Sequence, residues 1–220
     1  MIATANRLAS VQEYYFSRKL REVAQMVQEG HPVINLGIGS PDLPPHPEVV
    51  KALSDAMVHP RANMYQSYQG LPELRSAITD FYQNQYQVAL DPNTEVLPLM
   101  GSKEGIMHIS MAFLNKGDQV LFPNPGYPTY ASVTKLVEAE PILYNLTAAS
   151  HWQPDFEALE ALDTSRVKIM WINYPHMPTG AEAQLETFDR LITWAKARKI
   201  LLVNDNPYSF VLTQKPQSIL

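Results

Sequence analysis

The sequence predicts an α/β protein: a mostly parallel sheet flanked by helices, preceded by an N-terminal arm. Three observations carry this. Short β-rich apolar runs alternate with longer amphipathic stretches. Several of those runs are apolar on both faces, as strands buried inside a parallel sheet must be. The 18 prolines gather in the joints. Proline fixes its own φ and steers the preceding residue away from helix, so these joints are stiff loops on which a site can be mounted.

In chain order, a polar start leads into an amphipathic helix with Leu20, Val23, Ala24 and Val27 on one face, an arm suited to docking on the body or on a second subunit. Strands are expected at Pro32–Leu36, Glu95–Met100, Asp118–Phe122, Pro141–Asn145, Val167–Ile172 and Lys199–Asn204. Helices are expected at His46–Val58, Pro72–Tyr86, Ser102–Leu114, Tyr127–Glu138, Pro154–Leu162 and Glu182–Arg198, each long enough to cover a sheet face.

With 220 residues of which 45% are hydrophobic, the chain can bury a real core. Its formal charge of -5 supplies no basic field for a nucleic-acid backbone, which argues against a nucleic-acid partner. No apolar run approaches the ~18 residues of a membrane span, and the opening Met1-Ile2-Ala3-Thr4-Ala5-Asn6-Arg7 is unlike a secretory signal, so no membrane association is expected and the chain reads as cytoplasmic. The absence of cysteine removes disulfides, thiolate metal sites and a cysteine nucleophile. Six histidines are scattered without a His-x-x-x-His pair, so no metal site is expected.

Open α/β sheets bind ligands beyond the carboxyl ends of their strands, which directs attention to four loops. Gly101-Ser102-Lys103-Glu104-Gly105 opens a helix and offers backbone N–H groups, a hydroxyl and an ammonium to an anion. It reads equally as an ordinary serine cap with Lys103 in solvent. Tyr127, in Pro125-Gly126-Tyr127-Pro128-Thr129-Tyr130, sits on a stiff turn where its ring can stack on a flat heterocycle or pack over a helix start. Asn173-Tyr174-Pro175-His176-Met177-Pro178-Thr179-Gly180 is too unusual for a filler turn but implies no chemistry alone. Val203-Asn204-Asp205-Asn206-Pro207-Tyr208 ends an apolar run on a carboxylate, which needs a cationic partner if buried or else caps the next turn.

Taken together and in order, these loops resemble the pyridoxal-phosphate-dependent aminotransferases of class I/II, fold type I, in the branch of LL-diaminopimelate, alanine and aspartate aminotransferases. The resemblance implies a three-layer large domain at residues 46–220 that binds pyridoxal phosphate, with residues 1–45 as arm and small-domain segment. It makes Ser102 and Lys103 the phosphate-binding pair, Tyr127 the ring stacked on the pyridine, Asp205 the partner of the pyridine nitrogen and Tyr208 the phenol on the 3-oxygen. Gly39, in Asn35-Leu36-Gly37-Ile38-Gly39-Ser40-Pro41-Asp42, is matched to the backbone that meets the substrate carboxylate. Tyr14 is matched to an arm tyrosine closing over the substrate, or packs with Tyr15 and Phe16. Tyr65, five residues before Gly70, is matched to the tyrosine that reaches the other subunit's phosphate in a homodimer.

The chain departs from the family pattern twice. Met177 stands where the family's Asn-Pro-Thr-Gly loop has an asparagine that donates to the 3-oxygen, and a thioether cannot donate. His176 beside it is expected to point away from the cofactor. The resemblance places the family's Schiff-base lysine some tens of residues beyond the aspartate, and the one lysine after Asp205 is Lys215, in a polar Gln214-Lys215-Pro216 loop, so the chain reads as truncated before it. The implied activity is transfer of an amino group from an amino acid to a 2-oxo acid. Alternatives are a pyridoxal-phosphate lyase of the same fold, or a lysine-less module that binds a cofactor or partner without turnover.

Overall fold

A computed structural model describes residues 2–10, 13–39 and 41–220; Met1 of the opening stretch and Ser40 of the glycine loop lie outside the described residues. The chain divides into two compact units, Gln12–Tyr68 on the one hand and Met1–Val11 with Gln69–Leu220 on the other.

The smaller unit holds helices α1 (Tyr15–Gln28) and α2 (Pro47–Met57). Helix α2 starts where the sequence says it should: Pro47 takes the first helical position, where its missing N–H is not needed, and the His46 ring accepts from the Glu48 N–H. Neither helix buries a residue within this unit, and the expected apolar face of α1 is half-covered at Leu20 and Val23 but 54% exposed at Val27. The strand expected at 32–36 does not form. Ile34 and Leu36 lie exposed, and the segment finds no ladder partner among the described residues; without one, β propensity alone does not make a strand.

The larger unit begins with a 3-10 turn at Asn6–Ser10, then runs α3 (Pro72–Tyr86), α4 (Ser102–Phe113), β1 (Gln119–Asn124), α5 (Pro128–Leu136), β2 (Glu140–Asn145), α6 (Phe156–Glu160), β3 (Val167–Ile172), α7 (Leu185–Arg198), β4 (Leu201–Asn204) and α8 (Ser209–Leu212). The strand expected at Glu95–Met100 is also irregular: Pro98 has no N–H for a ladder and instead packs against Gly70, where a Cβ would meet its Cγ at 2.8 Å. The remaining four expected strands form one wholly parallel sheet in the order β2-β1-β3-β4.

Successive residues of the central strands face opposite layers. Val120, Phe122, Ile169 and Trp171 pack with Ile106 of α4 and Tyr130 and Val133 of α5. Leu121, Met170 and Ile172 pack with Leu159 of α6 and Phe188, Leu191 and Trp194 of α7. The result is the three-layer α/β arrangement the sequence predicts. Pro123 is tolerated in β1 because the pairing to β3 extends only to Leu121, past which a donor is no longer required on that side.

The strand order fixes where a ligand can sit. From β1 the chain turns through α5 to β2 on one side, and from β3 it turns through α7 to β4 on the other. Between the carboxyl ends of β1 and β3 the connections diverge and leave a crevice. At the opposite end of the sheet, Arg166 donates to the Gly117 carbonyl at 2.9 Å and to both carboxylate oxygens of Glu140. Its side chain is about half exposed, so Arg166→Ala is expected to lower the urea unfolding midpoint only slightly. A loss several times larger would mean that the bidentate geometry contributes beyond an ordinary surface pair.

Candidate active site

At the divergence between β1 and β3, Ser102, Tyr127, Asn173, Met177, Asp205, Pro207 and Tyr208 line one cleft of about 170 Å³. Five of the seven are residues singled out in the sequence, drawn from four loops. Asn173 and Pro207 complete the lining.

Each wall has a local cause. Helix α4 starts after Gly101, whose φ of 118° suits glycine, and the Glu104 carboxylate reaches back to accept the Met100 N–H at 2.6 Å. Ser102 is therefore the first residue of the helix rather than its cap, and its hydroxyl borders the cleft beside the positive end of the helix dipole. The Lys103 ammonium lies 5.8 Å from the centre of the Tyr127 ring. Tyr127 is the residue before α5, turned there by the proline-rich loop after β1, and its ring meets Tyr130 edge-on at 5.6 Å and 83°.

The loop after β3 is held by Asn173. Its amide oxygen accepts the Met177 N–H at 2.7 Å, and its amide nitrogen donates to the Asp205 carbonyl. Met177 thus borders the cleft beside Asn173, with its backbone N–H fixed by the Asn173 amide oxygen. His176 is only 1% exposed and is not among the lining residues; its ring is engaged by Pro125 and Thr179.

Asp205 follows β4, with its N–H donating to the Ile172 carbonyl at 2.9 Å. The carboxylate does not cap the following turn. Asn206 does that, accepting from the Ser209 N–H at 3.2 Å and hydroxyl at 2.7 Å. Asp205 Oδ2 instead accepts from the Tyr130 hydroxyl at 2.8 Å. Burial pushes the Asp205 carboxyl above the usual range, and the bond from Tyr130 partly opposes this. Burial, reinforced by the Asp205 charge, pushes the Tyr130 phenol far up, so it remains a donor. Tyr130 is wholly buried and stacks on Trp171 at 5.2 Å and 9°. Its role was missed in the sequence, although it lies three residues after Tyr127, at a spacing that puts both rings on one helical face.

Tyr14, Gly39 and Tyr65 belong to the smaller unit. Tyr14 precedes α1 and packs 5.8 Å from Phe16, Gly39 has open space where a Cβ would point, and Tyr65 is fully exposed. Among the described residues no cluster of three His, Asp or Glu side chains could hold a metal ion, and no helix is long and apolar enough to cross a membrane.

A three-layer parallel sheet with an acid, a ring and a helix start around its switch point defines an α/β protein that binds its ligand beyond the carboxyl ends of its strands. The chain belongs to the aminotransferase class I and II family, whose pattern matches residues 31–219. It is 39% identical over 222 residues to the LL-diaminopimelate aminotransferase of Aquifex aeolicus, covering 100% of this chain and 57% of that protein. It is 38% identical over 218 residues to the same enzyme of Dehalococcoides mccartyi, covering 98% of this chain and 56% of that one. Among solved structures, apo-BacF of Bacillus subtilis superposes with a TM-score of 0.91 at 35% identity, over 100% of this chain and 56% of that one. Alanine aminotransferase of Pyrococcus furiosus gives 0.86 at 29%, over 92% and 52%. The chain therefore spans little more than half the length of these relatives.

Proposed function

We propose that the protein is a pyridoxal-phosphate-dependent aminotransferase that passes an amino group from an amino acid to a 2-oxo acid, and that this chain supplies its cofactor cleft. The observation that carries the reading is Asp205, a desolvated carboxylate lining a cleft that also presents an aromatic ring, a phenol and a helix N-terminus. A buried carboxylate calls for a cation, and the donor set fits a protonated pyridine bearing a phosphate. Bound pyridoxal phosphate would supply a carbonyl that accepts the amino group and a pyridinium that acts as an electron sink.

The chain's own residues then take these parts. Asp205 holds the proton on the ring nitrogen, Tyr127 covers the ring face, and Tyr208 donates to the 3-oxygen. Ser102, Lys103 and the N–H groups opening α4 receive the phosphate. The Gly39 backbone meets the substrate carboxylate, and Tyr14 closes over the substrate. Tyr65 serves the phosphate of the other subunit in a homodimer, which its full exposure here favours. Residues 46–220 form the cofactor-binding domain, residues 1–45 serve as arm and small-domain segment, and the enzyme is cytoplasmic. The names of the relatives point to LL-diaminopimelate as the donor to try first.

The test is direct. Full-length protein with pyridoxal phosphate and LL-diaminopimelate should form glutamate from 2-oxoglutarate. Release of ammonia and a 2-oxo acid without an acceptor would instead establish a lyase, the reading to which Met177 lends some weight. Neither product, together with no binding of pyridoxal phosphate, sinks both.

Met177 makes a separate expectation. Met177→Asn adds the side-chain donor that a thioether lacks, worth about 0.5–1.5 kcal/mol for one neutral hydrogen bond. Pyridoxal phosphate should bind two- to tenfold more tightly in a spectral titration, by about that energy. An unchanged dissociation constant would show that position 177 does not reach the 3-oxygen.

A further inference from the structure

His176 is the one buried histidine of the larger unit that the proposed chemistry leaves without a task. Its ring spans two loops. Nε2 lies 3.1 Å from the Pro125 carbonyl, and Nδ1 lies 2.7 Å from the Thr179 hydroxyl. A carbonyl only accepts, so the proton is on Nε2; Nδ1 then accepts, and the Thr179 hydroxyl donates. Burial holds the ring's pKa below the usual value, which keeps it in this neutral form.

The two loops are the opposing walls of the cleft. Pro125 lies two residues before Tyr127, in the turn after β1, while Thr179 lies two residues after Met177, in the loop after β3. Each is stiff within itself. At Gly126 a Cβ would fall 2.3 Å from the Pro123 carbonyl oxygen, so the turn is folded tightly on its own backbone. In the second loop the Gly180 N–H donates to the His176 carbonyl at 2.7 Å, and the His176 N–H to the Ala181 carbonyl at 2.8 Å. Two stiff loops still need a bond between them to hold a fixed separation. Strand pairing does not supply it, since the β1–β3 register ends at Leu121 and Met170, before either loop begins.

We infer that His176 is a positioning residue: its imidazole locks the Tyr127 turn to the Met177 loop and so sets the width of the cleft. The inference rests on the proposed cofactor reading only for its consequence in binding; the lock itself is a property of the two loops. A small misplacement of a preorganised wall is enough to weaken a ligand.

The experiment uses the full-length protein and two arms. In the first, without cofactor, hydrogen exchange at the Gly126 and Tyr127 amides is compared in wild type, His176→Leu and His176→Gln. Faster exchange in His176→Leu, restored in His176→Gln because the longer amide can still donate to Pro125, supports the lock. Equal exchange in all three overturns it. In the second arm, pyridoxal phosphate binding is titrated and its visible circular dichroism recorded. His176→Leu should bind about three- to tenfold more weakly with an altered dichroic band, and His176→Gln should stay near wild type, as one buried hydrogen bond allows. Leu159→Ala, in the core and outside the cleft lining, controls for general loss of stability and should leave the band unchanged. If it alters the band as His176→Leu does, the effect is structural and the positioning role falls. If wild type binds no pyridoxal phosphate, the cofactor reading fails while the exchange arm still decides the lock.

Discussion

Asp205→Asn is expected to cut amino transfer by on the order of 10²–10³-fold, the scale of losing one preorganised electrostatic group, while making the cofactor-free protein more stable at neutral pH. The two effects share one cause. Burial raises the Asp205 carboxyl above its value in the unfolded chain, about 3.9. The stability tied to its protonated form is therefore complete below about pH 3.9 and is lost as pH rises through the raised value. Asn keeps the acceptor for Tyr130 and removes the charge, and the backbone bonds of residue 205 to Ile172 and Asn173 do not depend on the side chain. Thermal melting without cofactor should show the variant gaining on wild type at pH 7 and the gain vanishing towards pH 4. A variant no more stable than wild type at pH 7 would contradict the desolvation assigned to this carboxylate.

Tyr130→Phe keeps the ring stacked on Trp171 and edge-on to Tyr127 but removes the donor to Asp205. A hydrogen bond to a charged group contributes about 1.5–3 kcal/mol, against about 0.5–1.5 kcal/mol to a neutral one. The destabilisation in urea should accordingly be larger at pH 7 than at pH 4. That bond is also what draws the Asp205 carboxyl downward, so its loss sends the carboxyl higher and should weaken pyridoxal phosphate binding on the acid side of neutrality. The cofactor-binding profile should shift to higher pH. In the Asp205→Asn background the cost of Tyr130→Phe should shrink, because the acceptor is no longer charged. An equal cost in both backgrounds would mean that the hydroxyl does not serve the carboxylate.

The cleft was legible to the extent that its residues sit in loops following recognisable strands. Tyr127, Met177 and Asp205 follow β1, β3 and β4, runs whose apolar character on both faces marks a buried parallel sheet. Ser102 was legible for a different reason, as the start of a helix, and remains so although the expected strand before it is irregular. That strand and the one at 32–36 were misread because propensity reports a preference of the residues, whereas a strand also needs a neighbour to receive its hydrogen bonds. The part of Tyr130 was not legible because its partner lies 75 residues further along the chain.

By itself the sequence determined the alternation of elements, the stiff loops and which side chains each loop could present. These are local consequences of periodicity and of proline and glycine chemistry. Only the tertiary structure decided the strand order that creates the crevice, the choice of Asn206 over Asp205 as the cap before α8, and the engagement of Tyr130 and His176 with distant partners. Those depend on which groups are brought together when water is excluded, and a buried polar group takes whatever partner the packed fold supplies.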